Sequence, residues 1–129
     1  MKIRIGRLVA SAVALSAAAV MATTGTASAA TAGYHLVTAS GVKVQIWEHG
    51  DVVKVTDTSA NGHSAYVTVM YTYHGRDFSY NMTAKSKGSS KTHRASDGGV
   101  YNLPENARID IEYDGNGGSF SSKHFVNDH

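Results

Sequence analysis

Past Ala30, apolar residues recur at every second position in short runs, and clusters of Gly, Asn, Asp and Ser separate the runs. A period of two puts alternate side chains on opposite faces of an extended chain, so this spacing predicts antiparallel β-strands; no stretch shows helical spacing. Val42, Val44 and Ile46 alternate with Lys43, Gln45 and Trp47. After a turn at Glu48-His49-Gly50-Asp51, Val53 and Val55 share a face in the run Val52 to Thr56, which reads as the second arm of a hairpin. Asn61-Gly62 ends a polar connector. The longest run follows, His63 to Tyr73, with Ala65, Val67, Val69, Tyr71 and Tyr73 on one face and Tyr66 and Met70 on the other. Phe78, Tyr80 and Met82 mark its returning partner. Lys85 to Gly99 is nearly free of apolar residues and reads as a long exposed loop or a poorly paired edge. Val100 to Leu103 is expected as a short strand closed by Pro104. Ile109, Ile111 and Tyr113 oppose Arg108, Asp110 and Glu112, and Phe120 with Phe125-Val126 suggests the last strand. Six to eight strands at this spacing imply an all-β fold, a small antiparallel β-sandwich or barrel.

The first 29 residues read differently. Lys2, Arg4 and Arg7 form a positive start, Leu8 to Val20 an apolar stretch, and Ala27-Ser28-Ala29 a small-residue cleavage site, the order of a secretory signal peptide. Residues 1–29 are therefore expected to be removed on export, leaving one domain, residues 30–129, outside the cell. The charge balance changes with that cut. The whole chain has 12 basic and 10 acidic residues, and losing three basic ones leaves nine against ten. Such a domain lacks the positive field that nucleic-acid binding uses, and no later apolar run approaches the roughly 20 residues that span a bilayer. Neither a nucleic-acid partner nor a membrane span is expected of the mature form.

The chain has no cysteine, so an exported domain of this size has no disulfide with which to compensate for a small core. Thiolate zinc sites and thiol nucleophiles are excluded. Leu, Ile, Val and Phe together supply only 18 of the 100 mature residues. Tyrosine has to make up the difference: all seven lie after the signal, and each buried aromatic removes about 150–250 Å² from water.

Several groups of residues imitate known chemistries. Asp57-Thr58-Ser59-Ala60-Asn61-Gly62 imitates the opening of a calcium loop, but Thr68 occupies the position of the closing acid, and turn chemistry explains the same letters. The seven histidines are scattered, without metal-ligand spacing. Arg108, Asp110 and Glu112 with a histidine imitate a ribonuclease ensemble, yet they alternate as a solvated strand face does. No catalytic residue, metal or cofactor is expected. Trp47 on the polar-side phase of its strand, His49 in the adjoining turn and Tyr66 on the second face of the long strand belong to the vocabulary of adaptable binding surfaces.

With Trp47 in the first hairpin and Ala60-Asn61-Gly62 leading into Tyr66-Val67-Thr68-Val69-Met70-Tyr71, the chain resembles the small secreted α-amylase inhibitors of Streptomyces, the tendamistat type. In that family a Trp-Arg-Tyr triplet at a hairpin turn plugs the enzyme cleft. Here Glu48 and His49 follow Trp47, and the family's two disulfides have no counterpart. In leader style and size the chain is also similar to many small exported actinobacterial β-proteins. The residues point to binding of another extracellular macromolecule through Trp47, His49 and Tyr66, and the resemblance implies inhibition of an extracellular hydrolase as its use. The alternatives are a carbohydrate-binding module, for which the partner is a polysaccharide, and a cell-surface or spore-associated structural protein.

Overall fold

A computed structural model describes the unit Gly33–His129. The expected signal peptide and its cleavage site lie outside the described residues. The unit is all-β. Eight strands run in order: β1 (Tyr34–Ala39), β2 (Val42–Trp47), β3 (Val52–Asp57), β4 (Ala65–Tyr73), β5 (Arg76–Ala84), β6 (Ser90–His93), β7 (Arg108–Asp114) and β8 (Ser121–Val126). They form two four-stranded antiparallel sheets, β1-β2-β3-β6 and β5-β4-β7-β8. No helix among the described residues is long and apolar enough to cross a membrane.

The alternation read from the sequence decides which side chains meet. Val42, Val44 and Ile46 of β2 and Val53 and Val55 of β3 are buried on one inner face. Ala65, Val67, Val69 and Tyr71 of β4 and Ile109, Ile111 and Tyr113 of β7 are buried on the other. The central strands of both sheets thus contribute almost every aliphatic residue to a single core. Tyr71, Tyr80 and Tyr113 complete it, as the shortage of aliphatic residues requires. Tyr73, in phase with the buried face, has run past the end of the core and is exposed.

One expectation needs correction, one open alternative is decided, and one strand adds to those expected. Tyr34–Ala39 is a strand, although its apolar letters do not alternate. Of the two alternatives for Lys85–Gly99, part of the segment takes the edge, pairing with β3 as the strand β6. Val100 to Leu103 is not a strand: Gly99–Tyr101 is a 3-10 turn, entered through Gly98 and Gly99 at φ 82 and 58. Positive φ at two successive residues turns the chain too sharply for a ladder. Tyr71 Oη then donates to the Val100 carbonyl (3.0 Å), spending that acceptor on a side chain.

Local turn chemistry accounts for the calcium-like letters. The Asp57 carboxylate accepts the Ser59 N–H (3.0 Å), Asn61 Oδ1 accepts the His63 N–H (3.0 Å), and Asp114 accepts the Gly117 N–H (3.0 Å). The Asn61 amide also donates to the Gly115 carbonyl (2.8 Å), tying the β3–β4 connection to the end of β7.

Candidate functional site

Trp47 is the last residue of β2 and points away from the core, 36% exposed. Its cross-strand neighbours are Tyr34 on β1 and Val52 on β3. The Tyr34 and Trp47 rings lie 5.2 Å apart at 47°. Gln45 Nε2 donates to Tyr34 Oη (3.1 Å), fixing the phenol, and Leu36, opposite Gln45, is 53% exposed. Lys54 stands on the other side of Gln45. The outer face of this sheet therefore carries two adjoining aromatic rings and an aliphatic side chain, edged by an amide and an ammonium.

The turn after Trp47 joins that platform to the end of the sandwich. Glu48 points inward and is buried, where it meets His35 and accepts the Asp128 N–H (2.9 Å). The His35 ring packs on Phe125 at 4.6 Å. Asp51, at φ 54, is also buried. Its carboxylate accepts the Leu103 N–H (2.9 Å) and the Asn127 amide (3.0 Å). His49 stays exposed between these two acids, edge-on to His129 with ring centres 5.9 Å apart.

His129 also borders a groove of about 570 Å³. Tyr71, Tyr73 and Phe78 form one wall, Val100, Leu103 and Pro104 the other, with Asp51 at the base and Glu105 beside His129. Tyr71 and Phe78 are stacked (5.3 Å, 19°), and His129 pairs with Glu105 at 2.9 Å. Burial pushes the Tyr71 phenol above its ordinary range, and the Asp51 charge adds to the shift. A concave, largely apolar wall with a few polar groups at its rim is the form of a binding cleft for a ring or an apolar side chain.

The three residues singled out from the sequence do not form one patch. Trp47 and His49 lie at the same end of the first sheet. Tyr66 belongs to the outer face of the second sheet, and it sits at the opposite end. It pairs with Asp114 on β7, and the next residue, Gly115, packs against Gly41 at the start of β2, the end far from Trp47. The Tyr66 ring meets Phe120 edge-on at 5.4 Å. Sequence reasoning placed Tyr66 beside Trp47 because both fall on the polar phase of their strands. Phase assigns a face within a sheet, but it does not say which sheet.

The other candidates resolve into local pairs. Arg108 is held by Asp110 (2.9 Å) on the outer face of the second sheet, with His124 opposite Asp110. His93 bonds Asp97 (2.9 Å). Among the described residues no group of three or more His, Asp or Glu side chains has the geometry to hold a metal ion. The residues that sequence reasoning missed are Tyr34, Tyr73, Phe78, Pro104 and His129. Tyr34 escaped the sequence reading because the letters of β1 show no clean alternation, so the phase it shares with Leu36 could not be read. The groove residues come from four separate segments and carry no common spacing. No protein-family model, curated protein or solved structure matches the chain.

Proposed function

We propose that the protein is exported after loss of residues 1–29 and binds a second extracellular macromolecule, a protein, through the end of the sandwich that carries Trp47 and His49. Inhibition of an extracellular hydrolase is the use that such a binder serves best. One observation carries this reading: exposed Trp47 packs on half-buried Tyr34, and the turn after Trp47 brings His49 against His129 at an open aromatic groove of about 570 Å³. Trp and Tyr are the side chains that most often anchor protein interfaces, because they bury a large rigid area at small entropic cost. A partner side chain seated between Tyr73 and Pro104 would leave Trp47 and His49 to cover the flank. Tyr66, at the far end, has no part in that contact.

A second reading is favoured by the arrangement around Tyr34. An aromatic pair edged by Gln45 and Lys54 suits a sugar ring, stacked on the aromatics and hydrogen-bonded at its rim. Affinity capture from culture supernatant on the immobilised protein separates the possibilities, with Trp47→Ala in parallel. The protein-binding reading expects one captured polypeptide, lost with Trp47→Ala while the circular dichroism spectrum is unchanged. Equal capture by the variant would overturn it. Retention on a glycan array in place of protein capture would favour the sugar, and recovery with envelope material would favour a structural role.

A further inference from the structure

Edge strands are where a β-sandwich can pair with another chain, and natural proteins block most of them. Of the four edges here, β1 is six residues long, β6 only four, and β8 carries Lys123 in its inward phase. The nine-residue β5 is longer than any of these, and its single inward-phase charge, Arg76, sits at the turn end of the strand and leaves the rest of the edge open. It pairs with β4 alone, contains no proline, and from Phe78 to Ala84 carries no charge.

Its register shows which backbone groups are free. Tyr73 and Arg76 flank the two-residue turn His74-Gly75, whose φ values of 51 and 74 belong to the turn that closes a tight hairpin. The pair beside such a turn exchanges both hydrogen bonds, and bonded pairs then alternate along the ladder. Arg76, Phe78, Tyr80, Met82 and Ala84 therefore spend their N–H and C=O groups on β4. Asp77, Ser79, Asn81 and Thr83 direct theirs to the open side, and all four residues are exposed.

We propose that two copies of this chain pair through β5, antiparallel and centred on Tyr80, to form a continuous eight-stranded sheet. Tyr80 is the middle of the strand, so this register opposes Ser79 to Asn81 of the second copy and Asp77 to Thr83 of the second copy. Every outward N–H and C=O of β5 finds a partner. Lys85, the next residue in the same phase, falls diagonally across from Asp77 of the second copy, within reach of a long side chain. The two-fold symmetry makes that opposite-charge pair twice. Asp77 already accepts from Thr72 (2.6 Å), which holds its carboxylate in place on this face. The remaining cation, Arg76, is drawn over its own Phe78 ring, 6.0 Å from the centroid. A foreign strand could use the same edge, but the balanced charges at the two ends of β5 match this strand to its own inverse.

The two-fold axis of such a pairing is perpendicular to the sheet, so both first sheets lie on one side and both Trp47 platforms face the same way. A partner with repeated sites would then be held at two points. The dimer itself does not depend on that reading.

Sedimentation velocity of the purified protein over rising concentration tests the pairing. The expected result is a species of twice the monomer mass. Ser79→Pro removes an outward N–H that β4 does not use, so it should give a monomer with an unchanged far-ultraviolet spectrum. Lys85→Glu and Asp77→Lys should each weaken the dimer about tenfold, and the double reversal should restore it. A wild-type monomer at every concentration would overturn the proposal, as would a Ser79→Pro dimer as tight as wild type. Failure of the double reversal to restore affinity would overturn the register.

Discussion

Replacing Asn127 with alanine tests how the groove is held in place. Asn127 is fully buried, and its amide nitrogen lies 3.0 Å from Asp51 Oδ1, 3.2 Å from the Leu103 carbonyl and 3.3 Å from the Pro104 carbonyl. Asn127→Ala removes one bond to a buried carboxylate and one to a backbone carbonyl, together about 3 kcal/mol. The Asn127 side-chain oxygen is itself buried without a partner, so deleting it returns about 1 kcal/mol. The net expectation is a loss of about 2 kcal/mol, a large share of the roughly 5–15 kcal/mol that stabilises a domain. For a unit of this size that lowers Tm by roughly 10 °C. Urea unfolding with linear extrapolation measures the free energy directly. Faster amide exchange at Leu103, whose N–H is bound to Asp51, should accompany the loss. A change below about 0.5 kcal/mol would refute the idea that this cluster anchors the groove floor.

Gly115→Ala should cost about 3 kcal/mol, because a methyl there would lie 2.6 Å from the Val42 nitrogen and closer still to Gly41, with backbone on both sides. Gly62→Ala, in open space at φ 81, should cost only about 1 kcal/mol, and equal losses in urea titrations would contradict the close contact between the sheets. Burial, with smaller contributions from Tyr71, Asp51 and Tyr101, raises the Tyr80 phenol far above its ordinary value. A raised folded-state value stabilises below the unfolded phenol's range and is lost as pH rises through it, so stability should fall at alkaline pH and Tyr80→Phe should flatten that fall. Bonds from His93 and from the Arg94 N–H hold the Asp97 carboxyl below the usual aspartate range. Its contribution is therefore present above that range and lost as pH falls through the lowered value, and carboxyl NMR should show an Asp97 midpoint below that of an unfolded peptide.

Strands with strict alternation were legible because one residue period decides both pairing and burial. Val42-Val44-Ile46 and Ile109-Ile111-Tyr113 point inward as their spacing requires. β1 was missed because in Tyr34–Ala39 the apolar Leu36 faces outward and only Val37 and Ala39 turn toward the core. Val100–Leu103 misled because its apolar letters pack from a turn, with Leu103 buried and its N–H held by Asp51. At the site, the exposure of Trp47 followed from its phase. The neighbourhood of Trp47 did not, since Tyr66 lies on the other sheet and His129 arrives from the far end of the chain. Contacts between residues distant in sequence depend on how two sheets stack, which no local period records.

Trp47 is the only tryptophan in the chain, so its fluorescence reports on the proposed anchor without a label. Quenching by iodide, with and without a partner recovered by affinity capture, tests the binding account most directly. The account predicts a readily quenched Trp47 in the free protein and a strongly shielded one in the complex. Equal quenching in both states would contradict it.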